Sequence, residues 1–337
     1  MYNKVLGSLL GAAVGDAMGA ATETRNRKQI AELFGGYVTE FKTPPMDTFA
    51  RGSRAGEITD DFSVAYITLQ EAVAAGKLDK PVAREALLKW AAIPKYFDRF
   101  AGPTTRASVA LLQGNVPPAD VFVPVNDNEK ATNGAAMKAA PIALLAHGDV
   151  DQAIQLAITA AKLTHNNNIA LSGAAAVAAA TAAAMGENAD LFDVVRASIY
   201  GARRGDEIGR SVGNLVAGAS METRIRWAVS IALNAPDLDT AIDELADYIG
   251  SGLMAVEAVP AAIGLCVAAK GKTVDGICAA VNIGNDTDTV ATMVGGILGA
   301  LNGVDSMPQD YLTVIERENT LGLEDLARKI VEFPNHG

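Results

Sequence analysis

The stretch Ile283-Gly284-Asn285-Asp286-Thr287-Asp288-Thr289-Val290 places two aspartates, each followed by a threonine, directly before an apolar run that continues to Leu301. The length of that run predicts a helix, and Thr287 or Thr289 is placed to cap it, because a hydroxyl accepts from the free N–H groups of a helix start. The positive end of the helix dipole also favours carboxylates there. Asp286, Asp288 and Thr289 could then direct their oxygens to one point. The stretch therefore predicts an oxygen-rich site at a helix N-terminus.

A second acidic cluster, Glu57-Ile58-Thr59-Asp60-Asp61-Phe62, opens another helical run over residues 62–75. Successive residues inside a helix diverge by about 100° each, so these side chains converge only at a helix start. Carboxylates and hydroxyls are hard oxygen donors, which suit Mg²⁺, Mn²⁺ or Ca²⁺ rather than zinc or copper. Either cluster alone is more simply explained as a helix cap with solvated acids. Two clusters of matching design favour a shared metal site.

Four further motifs accompany the two acidic clusters, and all six stand in the order found in one known family. They are Gly15-Asp16-Ala17-Met18-Gly19-Ala20-Ala21-Thr22-Glu23, Thr59-Asp60-Asp61, Asn133-Gly134-Ala135-Ala136-Met137-Lys138, Thr164-His165, Glu257-Ala258-Val259-Pro260 and Gly284-Asn285-Asp286-Thr287-Asp288-Thr289. Together they resemble the motifs of the ADP-ribosylglycohydrolases, the group that includes the nitrogenase-reactivating glycohydrolase and the ADP-ribosylhydrolases. The likeness covers roughly residues 5 to 303, almost the whole chain.

The resemblance implies a hydrolase that breaks a glycosidic bond at the anomeric carbon of a ribose, with two divalent cations, Mg²⁺ or alternatively Mn²⁺, as cofactors. It implies Glu23 as the general acid/base or substrate-positioning residue and Asp61 as a second candidate for water activation. It also implies that Asn133, Gly134 and His165 contact the ribose or a phosphate. The metal ligands implied by the resemblance are Thr59, Asp60, Asp61, Asp286, Asp288 and Thr289.

Several residues depart from the family pattern and leave the substrate open. Asn285 stands where the family often has Gly, Phe62 where it often has Thr, and Lys138 where Arg is frequent, which loses a planar bidentate donor. Residues 129–132, Glu-Lys-Ala-Thr, replace a small Gly/Ser-rich loop that cradles a diphosphate in some members. Three hypotheses follow: a hydrolase of ADP-ribosyl groups on proteins or small molecules, a hydrolase of small N-ribosides or nucleosides, and a catalytically silent metal- or ligand-binding member. A glutamate in that loop favours the second, whereas the intact acidic clusters argue against the third.

The composition limits the binding partners and the cellular location that the chain can have. A net charge of −11 without clustered Lys and Arg argues against nucleic-acid binding and against an anionic membrane surface. Two cysteines, both in apolar stretches, exclude a disulfide scaffold and favour a cytoplasmic location, and no signal peptide is evident at the N-terminus. The apolar run Ile169–Gly186 is mostly alanine, which predicts a buried core helix rather than a membrane span. The sequence leaves the oligomeric state open.

Helical periodicity recurs along the chain, and strand or hairpin patterns are scarce. We therefore predict a single domain over residues 1–337, an all-α orthogonal multi-helix bundle with a dinuclear metal site at converging helix N-termini. Gly11, Gly15 and Gly19 predict a close helix contact, and Asp16 within that apolar helix needs a partner, as a helix cap or beside the site. Separate helices are predicted near 190–202 and 205–217, and a short extended piece at 121–123.

Overall fold

A computed structural model describes residues 1–116 and 127–334, and seventeen α-helices form in these two ranges. They contain two isolated β-bridges and no strand, which confirms the all-α prediction; the extended piece predicted at 121–123 lies outside the described residues. The helices are α1 (Tyr2–Gly19), α2 (Arg27–Phe34), α3 (Asp60–Ala75), α4 (Lys80–Ala91), α5 (Pro94–Phe100), α6 (Pro103–Leu112), α7 (Ala139–Ala143), α8 (Val150–Ala161), α9 (Asn168–Ala184), α10 (Leu191–Val212), α11 (Met221–Asn234), α12 (Leu238–Tyr248), α13 (Ala255–Ala268), α14 (Thr273–Asn282), α15 (Thr287–Asn302), α16 (Gln309–Asn319) and α17 (Leu323–Val331).

The centre of the bundle consists of helices that are buried on nearly every face. In α9 almost every residue is buried, and α1 from Val5 and α15 as far as Ala300 are equally enclosed. Alanine dominates α9, and its small side chain lets neighbouring helices approach from all directions. The predicted core helix at Ile169–Gly186 is therefore confirmed. In the ranges that the structure describes, no helix is long and apolar enough to span a membrane.

Helices α1 and α15 lie antiparallel in contact along a row of glycines. A Cβ on Gly11 would lie 2.2 Å from the backbone oxygen of Gly295, and one on Gly19 would lie 2.4 Å from the Cα of Asp288. Only glycine permits backbones to approach so closely. The row brings the C-terminal end of α1, which is followed by Glu23, against the first turn of α15. The predicted close helix contact is thus confirmed, and it positions the site.

Gly11→Ala is expected to lower the free energy of unfolding by about 1–3 kcal/mol, because the added methyl group meets backbone that cannot move aside. The matched control is Gly173→Ala, also in a buried helix, whose Cβ would meet the side-chain ends of Met221 and Val259. The control is expected to be neutral or to gain up to about 1 kcal/mol of helix propensity. Denaturant titration of both variants measures the difference, and equal stability would refute the packing role of Gly11.

Two local predictions were wrong. The helices expected near 190–202 and 205–217 form one helix, α10, because Gly205 lies against Leu171 and Ala175 of α9 and serves packing rather than a break. Helix α15 has Asp286 as its N-cap residue and no side-chain cap. The Thr287 hydroxyl donates instead to the Gly19 carbonyl oxygen at 2.9 Å. Threonine capping does occur at α3, where the Thr59 hydroxyl accepts from the Asp61 N–H at 3.3 Å.

Candidate active site

The first acidic cluster lies at the start of α3 and is held there by Asp16. The Asp16 carboxylate is completely buried and accepts the backbone N–H groups of Thr59 and Phe62, each at 3.0 Å. A carboxylate is well placed at that end of the helix dipole. Asp16 therefore acts as a helix-capping acceptor, one of the roles expected for a carboxylate in an apolar helix. It fixes the direction in which Asp60 and Asp61 leave the helix start.

The second acidic cluster lies on a loop of unusual backbone before α15. Gly284 and Asn285 both have positive φ, +93° and +63°. A Cβ on Gly284 would lie 2.7 Å from the Arg25 carbonyl oxygen, so this position requires glycine. The Asn285 N–H donates to that same oxygen at 2.8 Å, and its carbonyl accepts from the Thr24 N–H at 2.7 Å. The loop that carries the aspartates is thus bonded directly to the segment that follows α1 and contains Glu23.

The two clusters meet, as predicted, at the helix starts. The Thr289 hydroxyl donates to one oxygen of Asp61 at 2.7 Å, and the Thr59 hydroxyl donates to the other at 3.3 Å. The carboxylates form two sets of three, and within each set the oxygens lie within 4.8 Å of one another. The sets are Asp16, Asp61 and Asp288, and Glu23, Asp286 and Asp288. Asp288 belongs to both, so the carboxylates form one continuous cluster, and Asp16 joins it beyond the predicted ligands.

Asp60 and Asn133 complete the surroundings of this cluster. Asp60 is partly exposed and lines the adjoining cleft, but it belongs to neither close-packed set. The Asn133 side-chain amide donates to the Asp286 carboxylate, and the Asn133 backbone N–H donates to the Leu253 carbonyl oxygen at 2.9 Å. Asn133 therefore orients a carboxylate as well as facing the cleft, a role that its motif alone did not indicate.

Burial raises the pKa of every aspartate and of Glu23 in the cluster, and repulsion between carboxylates adds to this effect at Glu23, Asp60, Asp61 and Asp288. Burial raises the pKa of Glu23 to about 8, with further increases from the charges of Asp286, Asp60 and Asp16, while the Arg25 guanidinium opposes them. Burial and the neighbouring charge of Asp16 raise the pKa of Asp60 to about 8. The pKa values of Asp61 and Asp288 are also raised, by burial first and then by neighbouring carboxylates. So many buried acids cannot all ionise together unless cations offset their charge.

A cleft of about 650 Å³ opens above the carboxylates, a volume that suits a small-molecule ligand. Its lining combines predicted site residues with others that are aromatic, aliphatic, hydroxylic or arginine side chains. Residues 101–106 at the start of α6, with Phe49, Arg99 and Phe100, were not identified from the sequence as part of the site. Among the residues that the structure describes, those that line the cleft are Glu23, Phe49, Asp60, Asp61, residues 99–106, Thr132, Asn133, Gly134, Met137, His165, Leu253, Asp286 and Thr289.

Gly134 and His165 pack against each other in the cleft wall. A Cβ on Gly134 would lie 2.7 Å from the Cε1 atom of the imidazole, so glycine is required beside the ring. The ring nitrogens contact hydroxyls on both sides, Nδ1 with Thr164 at 2.7 Å and Nε2 with Thr132 at 2.9 Å. Burial lowers the pKa of His165 to about 3, and the charge of Lys138 adds to this effect. His165 is therefore a neutral side chain of the cleft wall.

Comparisons with known proteins agree with this architecture. A family model described as ADP-ribosylglycohydrolase matches residues 1–336. The chain is 30% identical to the uncharacterized protein YegU of Escherichia coli strain K12, over 98% of this chain and 97% of that protein. It is 26% identical to the human ADP-ribosylhydrolase ARH3, over 90% of this chain and 87% of the relative. Identity to the ADP-ribosyl-[dinitrogen reductase] glycohydrolase of Rhodospirillum rubrum is 23%, over 94% and 91% of the two chains.

A solved structure shares the fold. It is titled as an ADP-ribosylglycohydrolase-related protein complex, superposes with a TM-score of 0.69 and covers 98% of both chains at 23% sequence identity. At that identity the likeness concerns the arrangement of the helices alone.

Proposed function

The chain belongs to the ADP-ribosylglycohydrolase family and is a hydrolase of glycosidic bonds, and on that premise we propose that it cleaves, with divalent metal, the ribosyl bond of ADP-ribosyl groups carried by proteins or small molecules. The named activities of ARH3 and of the Rhodospirillum rubrum relative support this substrate class. The observation that carries the proposal is the buried carboxylate cluster, in which Asp288 joins two sets of oxygens beside a cleft of ligand size.

The side chains present fit divalent cations. All candidate ligands are carboxylates or hydroxyls, the donors that Mg²⁺ and Mn²⁺ take. Burial raises the pKa of each aspartate among them, and neighbouring carboxylates raise the pKa of Asp60, Asp61 and Asp288 further, an effect that a bound cation would offset. We propose that two such ions are held by Thr59, Asp60, Asp61, Asp286, Asp288 and Thr289. When bound, divalent metal would supply charge stabilisation on developing oxyanions and a lowered pKa of coordinated water.

The chain's own residues have distinct proposed roles around that metal. Glu23 is 8% exposed, lines the cleft and lies within 4.8 Å of the oxygens of Asp286 and Asp288, so it can move a proton at the reacting centre. Asp61 is the second candidate for water activation. Asn133, Gly134 and His165 form the wall against which the ribose or a phosphate would lie, and the neutral His165 ring cannot act there as a cation.

The size of the cleft favours an ADP-ribosyl group over a smaller riboside. A volume of about 650 Å³ exceeds what a single ribose and its base require, and Arg99 and Arg106 are among the residues that line the cleft. Glu129, whose charge would disfavour a diphosphate, is exposed and is not one of the residues that line the cleft. Of the 129–132 loop, Thr132 lines the cleft and Glu129 does not, so the charge that favoured a small N-riboside lies outside the cleft lining.

A substrate panel tests the proposal. The purified protein is incubated, with Mg²⁺, Mn²⁺ or a chelator, against ADP-ribosyl-arginine, an ADP-ribosyl-serine peptide, O-acetyl-ADP-ribose and common nucleosides, and mass spectrometry measures the products. Metal-dependent release of ADP-ribose is the expected result and identifies the linkage. Release of free ribose from a nucleoside alone would replace the proposal by N-riboside hydrolysis. No release from any substrate would refute it.

Metal binding is expected to stabilise the protein more strongly as the pH rises. The folded pKa of Glu23 and Asp60 is raised to about 8, above the unfolded value, so the folded state binds more protons than the unfolded state up to that pH. In chelator, stability should therefore fall between about pH 5 and pH 8. Metal binds the deprotonated carboxylates, so its stabilisation should grow over the same range, to about 2.7 kcal/mol at a hundredfold excess over Kd. Thermal denaturation at several pH values measures both trends, and a metal effect independent of pH would contradict the assignment.

A further inference from the structure

The loop before the first acidic cluster carries an aromatic side chain to the cleft. Phe49 lines the cleft and is 56% exposed. The loop has its own short bonds, including the Thr48 hydroxyl to the Pro45 carbonyl oxygen at 2.9 Å. An exposed phenyl ring at the mouth of a polar cleft offers an apolar face to a ligand that enters it.

The same loop is tied to Glu23 through one buried arginine. The Arg25 side chain is only 9% exposed, and its guanidinium donates to the Glu23 carbonyl oxygen at 3.0 Å. Its other end donates to the carboxylate of Asp47, a loop residue whose side chain is 78% exposed. The planar, rigid guanidinium binds the loop through one nitrogen and the Glu23 carbonyl oxygen through another. It therefore fixes the distance between the loop and the Glu23 backbone.

A second arginine anchors the far side of the loop. Arg99, at the end of α5, donates to the Arg51 carbonyl oxygen and lines the cleft itself, with its guanidinium 4.9 Å from the centroid of the Phe100 ring. Phe49 therefore lies on a short segment, residues 47–51, whose two ends each bind an arginine side chain. One of those arginines also contacts the Glu23 backbone.

We propose that Arg25 is a positioning residue that joins Glu23 and the Phe49 loop into one unit. In this unit Phe49 contacts an apolar or planar part of the substrate. The Asp47–Arg25 ion pair holds Glu23 in line with the bound substrate. The inference rests on the proposed function, since Glu23 has a catalytic role only there. It adds a specificity residue, Phe49, and a positioning link, neither of which belongs to the six sequence motifs.

Asp47→Ala tests the link at little risk to folding, because Asp47 is exposed. The variant is expected to lower kcat by about tenfold to a hundredfold, the loss that a small misplacement of a catalytic group produces, while Asp47→Glu restores most of it. The control is Asp239→Ala, which removes an equally exposed partner from Arg27, an arginine that keeps Asp243 and lies outside the cleft lining. Its kcat should equal that of the wild type. An unchanged kcat in Asp47→Ala, with the wild type active, would overturn the link; an inactive wild type would instead refute the proposed function.

A double-mutant cycle tests whether Phe49 belongs to the same unit. Phe49→Ala is expected to raise KM with little change in kcat, because it removes a contact made equally in the ground and transition states. In the Asp47→Ala background the loop loses its link to Arg25 and keeps only the Arg99 bond, so the same substitution should raise KM less. Strictly additive effects, or no change in KM on removing the ring, would overturn the coupling. Circular dichroism and Tm of each variant establish that the protein remains folded.

Discussion

Asp286→Asn is expected to reduce turnover by about a thousandfold or more, the effect of losing several kcal/mol of transition-state stabilisation that metal provides. Asp286 is 5% exposed, caps α15 and shares its close-packed set with Glu23 and Asp288. Asparagine keeps the shape of the side chain and can still contact Asn133, but it removes one of the charges that hold a cation. We therefore expect weaker metal binding, seen by calorimetry, together with lost ADP-ribose release.

The helical fold should survive this substitution. In the metal-free protein, loss of a charge from a mutually repelling cluster is expected to leave stability unchanged or slightly raised, so the circular dichroism spectrum should match that of the wild type. Asp149→Asn is the matched control, since Asp149 caps α8 outside the cleft and asparagine caps equally well. Full activity of Asp286→Asn with undiminished metal affinity would exclude residue 286 as a ligand.

The carboxylate cluster could be predicted from the sequence because its residues lie in short local patterns. Thr59-Asp60-Asp61 and Asp286-Thr287-Asp288-Thr289 each open a long apolar run, and helix starts are where adjacent side chains converge. The glycine spacing in α1 similarly predicted a close helix contact. Its partner, the row of glycines in α15, could not be chosen, because the pairing of helices depends on packing over the whole chain.

The other residues that line the cleft could not be found in this way. Phe49 lies on a loop and Arg99 and Phe100 lie at the end of α5, without a shared motif, and only tertiary structure brings them to one cleft. The ion pair between Arg25 and Asp47 joins residues 22 positions apart and likewise leaves no pattern in the sequence. The separate helices predicted near 190–202 and 205–217 were wrong because α10 continues through Gly205, whose lack of a side chain permits contact with α9.

Glu23→Gln is expected to lower kcat by about a hundredfold to ten-thousandfold, the usual contribution of a positioned general acid or base. Glutamine preserves the volume of the side chain and can still form hydrogen bonds in the cleft, but it cannot exchange a proton at accessible pH. In wild-type protein the pH–rate profile should contain a limb that belongs to Glu23, and the substitution should abolish it. Metal affinity, measured by calorimetry, should stay within a few-fold of the wild-type value.

The measurement of metal affinity decides between the two roles that the geometry allows Glu23. Its carboxylate lies within 4.8 Å of those of Asp286 and Asp288, so it could act on substrate beside the metal or bind the metal itself. If Glu23→Gln weakens metal binding as strongly as Asp286→Asn does, Glu23 is a ligand and Asp61 becomes the candidate for water activation. If turnover falls while metal affinity and helical content are retained, Glu23 acts in proton transfer or substrate positioning. Glu71→Gln, on α3 and outside the cleft lining, serves as the matched control and should retain wild-type turnover.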